Sequence, residues 1–438
     1  MNITIDKESL NDGFVTLCGI WVLFMKIGLT CYEVGRSPAQ STIAILFKNV
    51  VDTFVSLLAY WIHGYAFAFG DQERIIGSKN FFTFGNVNFS HFFFNYARCA
   101  IVTTIVSGAI TQKTEPIGYI ISSYILAGFV YPIVSRSFWH QSGLFNINLP
   151  MFPIQDYAGS GVVFLVGGTA ALIASFVTNA RAVRYTTPTI NQSYSLPLAV
   201  LGAFMQIIGS LGFVVGAQGH ITESGDGQLA SLAVVNTLLS TGSAGLYGLF
   251  FLRMRRDTYS IPRLINSALT GMVAVCGGAN KYLPALAVMC GASASLLYMA
   301  LKHLCTVTKI DDPTDTIAIY LSGGSLGLMF AGLFMDQTNN QGQAVAIEYN
   351  CLALCVVMIW TAFVMGFVYL LLKIVGILKP FPKLEPQEHE EGEHLVGFLE
   401  KWLQNSLGLE LESGLLTVEQ GHQFTMQGLG RTCTPAQS

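Results

Sequence analysis

Charge is scarce in this sequence. Of 438 residues, 11% are Asp, Glu, Lys or Arg, against 52% hydrophobic. A soluble domain carries about 25% charge, so this chain has too little polar surface to stay dissolved in water. The net charge is only −3, which removes the basic excess that a nucleic-acid partner requires. Metal-ligand spacing is missing among the nine cysteines. Cys351 and Cys355 lie four apart on one helical face and read as packed thiols. There is no nucleophile constellation and no phosphate-binding loop, so neither an enzyme nor a cofactor is expected. Short tandem repeats are lacking as well, although a weak inverted repeat of five apolar runs plus five, with an eleventh left over, is compatible with the pattern.

What the chain has is length of apolar run. A membrane-crossing helix needs about 20 mostly apolar residues. Eleven runs qualify, at 12–34, 42–69, 91–111, 117–138, 157–178, 195–217, 228–252, 262–279, 283–303, 315–335 and 350–378. The expected fold is therefore all-α and polytopic, with a short extracellular segment 1–11, a membrane domain 12–378 and a cytoplasmic tail 379–438. Lysine and arginine concentrate on the cytoplasmic side of membranes. With the carboxyl end inside, thirteen of them fall inside and five outside: Lys7, Arg74, Lys79, Arg136 and Lys281. That bias predicts the amino terminus outside. Asn2-Ile-Thr and Asn88-Phe-Ser then become external sequons. The flank before the first run is acidic and lacks a small-residue cleavage site, so no signal peptide is needed to explain it. In the tail, "KPFPKLEPQEHEEGEH" reads as extended, and 394–416 has helical apolar spacing suited to an amphipathic helix.

Several charges interrupt the runs. Arg98 sits in "FFFNYARCAIVTTIVSGAIT", where an arginine at bilayer centre costs roughly 2.5–3.5 kcal/mol on insertion scales. Either it snorkels toward the interface or it has a task in the interior. Lys26 is mid-span and poorly placed to snorkel; pairing with an acid such as Glu33, or with carbonyls, is its expected fate. His63 reads as a packed, hydrogen-bonded side chain. Asp156 and Asp315 each precede a long apolar run, where helix caps belong.

Taken together, "LFKNVVDTFVSLLAYWIHGYAFAFG" with Lys48, Asn49 and Asp52, "IVSGAI", "DYAGSGVV", "VVNTLLSTGSAGL" and "DDPTDTIAIYLSGGSLGLMFAGLF" resemble the ammonium transporter family over about Gly13 to Gly376. The resemblance implies eleven helices around a pore and a trimer with one pore per subunit. It implies a plasma-membrane protein that moves ammonium or ammonia, either alone as a homotrimer or in hetero-trimers with related subunits.

The family recruits ammonium in a cage of aromatic rings and a serine, closes the entrance with two phenylalanines and lines the pore with two histidines. By resemblance, the cage tryptophan is Trp139 and the aspartate near the vestibule is Asp156. The inner gate phenylalanine is Phe213, and Asp315 lies at the cytoplasmic end. The rest departs from the family. The cage serine falls on Ala217 and the outer gate phenylalanine on Arg98. The two histidines fall on Phe164 and Tyr320. Beside Phe213, a tryptophan and an asparagine are replaced by Ser210 and Val214. Neither phenyl nor phenol relays protons near neutral pH as imidazole does. The expectation is an ammonium transporter scaffold with a strongly altered pore. The alternative is a non-conducting sensor, or a structural subunit partnering a working relative.

Overall fold

The computed structural model describes residues 6–71, 73–110, 113–114, 116–147, 154–178, 195–254, 260–334 and 340–378. Every long element among them is a helix. In chain order these are α1 (Lys7–Arg36), α2 (Thr42–Phe69), α3 (Phe89–Ile110), α4 (Pro116–Trp139), α5 (Ser160–Thr178) and α6 (Leu196–Gly216), followed by α7 (Asp226–Met254), α8 (Ile261–Val275), α9 (Pro284–Val307), α10 (Thr316–Phe334) and α11 (Asn340–Ile374). Ten of them are long and apolar enough to cross a membrane. The remaining one, α8, is apolar but has 15 residues, shorter than the run 262–279 expected there. Two further differences concern the ends. Helix α1 begins at Lys7, capped by Asp6 through the Glu8 amide at 3.1 Å, so residues 7–11 belong to the helix. The tail 379–438, with its expected amphipathic segment 394–416, lies outside the described residues, as does Asn2.

The helices form because each run satisfies its own backbone hydrogen bonds, which hydrocarbon cannot do for it. Their packing depends on small residues. Helices α1 and α6 cross with Gly28 and Gly202 face to face. A Cβ on Gly28 would sit 2.7 Å from the Gly202 carbonyl oxygen, and one on Gly202 would sit 2.4 Å from the Tyr32 amide. Close backbone approach through glycine is how helices gain contact where lipid provides no hydrophobic drive.

Helix α4 explains His63. Pro132 has no N–H, so the carbonyl of Gly128, four residues earlier, loses its helical partner. The helix widens into a π turn at Leu126–Val130. His63 Nδ1 donates to that freed carbonyl at 2.8 Å, and Nε2 accepts from the Tyr124 hydroxyl at 3.0 Å. The histidine closes a backbone gap that proline opens.

Arg136 was counted with the outside loop charges, yet it is fully buried in the last turn of α4. It grips the loop after α2, donating from Nε to the Glu73 carbonyl at 2.8 Å and from Nη2 to the Asp71 carbonyl at 2.6 Å. Ser78 donates to the Asp71 carboxylate and is the main reason that carboxyl titrates below its ordinary value. Asn88, the second sequon, caps α3: its Oδ1 accepts the His91 amide at 3.0 Å, while its Nδ2 donates to Asp12 at 2.8 Å.

Candidate functional site

The site is built where the start of α5 meets α3, α4, α6 and α10. Its foundation is Asp156. One carboxylate oxygen accepts the amides of Gly159 and Ser160 at 3.2 and 2.8 Å, and the other accepts those of Gly161 and Val162 at 2.8 and 2.9 Å. The Ser160 hydroxyl adds a fifth donor. These amides are the orphan donors of a helix start. The backbone carbonyl of Asp156 in turn accepts from Trp139 Nε1 at 2.9 Å. Gly159 makes the turn possible. Its φ of 112° suits glycine, and a Cβ there would lie 3.1 Å from the Trp139 ring. Asp156 therefore orients the helix start and the indole together.

Helix α10 repeats the arrangement, but with a different aspartate from the one expected. Asp312 accepts the amides of Thr316, Ile317 and Ala318 at 2.9, 2.8 and 3.3 Å. Asp315 does not cap. Its φ is 60°, and its side chain instead meets Lys302, Asn266 and Tyr298, with Arg36 Nη2 at 3.7 Å. The offsets in α5 and α10 correspond: Asp156 precedes Phe164 by eight residues, and Asp312 precedes Tyr320 by eight. The two chain segments bring their aromatic rings together, Phe164 stacking on Tyr320. Asp312→Ala is expected to cost about 0.5–2 kcal/mol, the range for a lost N-cap, read as an earlier denaturant midpoint. Asp315→Ala should leave the α10 start intact.

Arg98 lies inside the bundle. It is 5% exposed, whereas a snorkelling guanidinium would be open to solvent. Its Cζ stands 4.2 Å from the Phe94 ring centroid, 4.5 Å from that of Trp139 and 5.4 Å from that of Phe213. These are cation–π distances. Its Nε and Nη2 have no hydrogen-bond partner among the described residues. Phe94 escaped the sequence reading, although it lies one turn before Arg98 on the same helical face.

Next to Phe213 lies Phe164, in a π turn spanning Ser160–Leu165, with ring centroids 5.3 Å apart. Phe164 and Tyr320 stack at 5.8 Å with planes 9° apart. All three rings are buried. The Tyr320 hydroxyl donates to Gln206 Oε1 at 3.0 Å. Gln206 was also missed; it stands in a largely apolar stretch, two turns before Phe213. Past the stack, a cavity of about 10 Å³ is lined by Tyr32, Glu33, Thr104 and Tyr320 among others, room for about one water molecule. Ala217, at the end of α6 one turn beyond Phe213, is half-buried and offers only a methyl group.

The fold and this column of side chains define a polytopic helical membrane protein with a buried column of aromatic rings in its interior. Comparison with known proteins places it further. The model of the Ammonium Transporter Family matches residues 13–396, and the chain belongs to that family, a family of transporters. A Caenorhabditis elegans relative is 32% identical over 339 residues, which is 74% of this chain and 64% of that protein. Ammonium transporter 1 member 3 of Solanum lycopersicum is 29% identical over 85% of this chain and 89% of its own length. Among solved structures, one described as a sensor Amt protein superposes with a TM-score of 0.79 at 27% identity, covering 89% of this chain and 98% of that one.

Proposed function

We propose that this chain serves ammonium or ammonia movement across a membrane, through a path whose mouth is closed from within by Arg98. The observation that carries the reading is the set of three rings around that guanidinium. Ring faces 4.2–5.4 Å from a cation are what an ammonium ion would need for recruitment, and here a side-chain cation stands in that place. Trp139, Asp156 and Phe213 form the recruiting wall, and Ala217 supplies no hydroxyl to it. Phe164 and Tyr320 narrow the path beyond, and Asp315 belongs to its cytoplasmic end. The membrane is the plasma membrane, with the amino terminus outside and the carboxyl tail 379–438 in the cytoplasm, as the charge bias supports. The assembly is a homotrimer or a hetero-trimer with related subunits.

Conduction is slow in this reading, because both the mouth and the column must rearrange. A second reading, a non-conducting sensor or partner subunit, is favoured by one observation: Phe164 and Tyr320, which the resemblance sets at the family's two histidine positions, stack as two non-relaying rings. Uptake of labelled methylammonium separates the two. Cells expressing this chain alone should take up slightly more than control cells. No uptake alone, together with altered uptake when a conducting relative is expressed in the same cell, would replace the first reading by the second.

A further inference from the structure

We propose that the turn joining α6 to α7 binds a divalent transition-metal ion of the zinc class through His220, Glu223 and Asp226. One ligand atom from each of these side chains lies within 4.8 Å of the other two. His220 Nδ1 is 2.8 Å from Asp226 Oδ2, with the imidazole partly exposed and the carboxylate buried. Glu223 is exposed. Ligand atoms on a tetrahedral zinc at about 2.0–2.1 Å stand about 3.3 Å apart. The 2.8 Å pair is already near that spacing, and the exposed Glu223 side chain has room to close the rest.

The turn is held before any ion arrives. Gly219 and Gly225 bend it at φ of 79° and 98°, a conformation that suits glycine. Asn11 Oδ1, on α1, accepts the Ile221 amide at 2.9 Å, and Asp226 Oδ2 accepts the Glu223 amide at 2.8 Å. Gln218 Nε2 donates to the carbonyls of two of the ligand residues, His220 at 3.0 Å and Asp226 at 3.3 Å. Its Oε1 is buried without a hydrogen-bond partner. A zinc with three protein ligands keeps a water, which is a donor of the kind that oxygen lacks. Chemistry sets the class of ion. A neutral imidazole with two carboxylates carries two negative charges, matching a divalent cation. The nitrogen ligand suits zinc, copper or nickel, whereas calcium and magnesium take oxygen. As an ion pair alone, His220 and Asp226 would staple the turn and leave Glu223 without a part. The site stands on the geometry of the turn and not on the transport reading.

Zinc itself is the probe. The full chain, without a polyhistidine tag, would be stripped with chelator in detergent and titrated by calorimetry. His389, His394 and Cys433 in the tail are also zinc ligands by type, so the site is read as the equivalent that differs between the unaltered chain and its variants. His220→Ala and Glu223→Gln should each weaken that equivalent at least about tenfold, a scale reached even by losing an outer partner of a metal ligand. Calcium should not displace it. Titrations that coincide for the three proteins overturn the proposal, and displacement by equal calcium overturns the assigned class of ion. If His220→Ala fails to fold, Glu223→Gln decides, since its side chain is exposed; unchanged zinc affinity there leaves a loop staple only and overturns the site. No readout involves ammonium uptake, so the two proposals fail separately.

Discussion

Arg98→Phe alone is expected to raise methylammonium uptake only slightly, while Arg98→Phe with Phe164→His and Tyr320→His should raise it by at least an order of magnitude. At about 4 Å and an effective dielectric of 20, a guanidinium repels an ammonium ion by roughly 4 kcal/mol. Cation–π attraction to Trp139 returns only about 0.5–2 kcal/mol, and the faces of Phe94, Trp139 and Phe213 already attend to Arg98. Repulsion therefore wins at the mouth. Removing it exposes the second obstacle, the Phe164–Tyr320 stack. Neither ring exchanges protons near pH 7, and imidazole does. In the proposed path the two obstacles act in series, so relief of one leaves the other limiting. Uptake in cells lacking their own ammonium transporters measures this. Robust uptake by the unaltered chain that Arg98→Phe does not change would defeat the account of the mouth.

The second large effect concerns stability. Lys26 Nζ lies 2.8 Å from Asp52 Oδ2, with both side chains buried. Asp52 also accepts from Thr103 and Thr104, at 3.0 and 3.1 Å, and from Ser123. One carboxylate thereby ties α1, α2, α3 and α4 together. Asp52→Asn leaves Lys26 charged, buried and unpaired, and such a loss costs about 3–5 kcal/mol. Lys26→Gln should cost less, because three hydroxyl donors still attend the Asp52 carboxylate. The double variant Lys26→Gln, Asp52→Asn should recover part of the loss, since both charges are gone. Denaturant unfolding of the purified chain gives the coupling from the cycle of four proteins. Additive losses would mean that the pair is not an energetic unit.

Lys26 marks where sequence reading stops. Glu33 is the acid close to it along the chain, two turns away on the same helix, and was the expected partner. The structure sends Glu33 to Asn49 Nδ2 at 3.1 Å and to the Ser107 hydroxyl, and brings in Asp52 from 26 residues away. Side-chain partners inside a helical bundle are chosen by how helices cross, and the glycine contacts that set the α1–α6 crossing involve two segments far apart in the chain. The same limit applies to "DDPTD". Asp315 was the expected cap of α10, but a left-handed backbone there turns it toward Lys302, and Asp312 caps instead.

By itself the sequence determined the class of molecule, the number of apolar runs and the family resemblance. Those depend on local quantities: run length against bilayer thickness, backbone bonds closed within each helix, and motifs a few residues long. The family resemblance further leads us to expect an arginine, a phenylalanine and a tyrosine at the positions of an aromatic gate and two histidines. Only the tertiary structure decided that Arg98 is enclosed by Phe94, Trp139 and Phe213, that Phe164 and Tyr320 stack, and that Gln206 holds the Tyr320 hydroxyl. Each of these contacts joins residues on different helices or depends on a helix's rotation about its axis, which packing of the whole bundle sets.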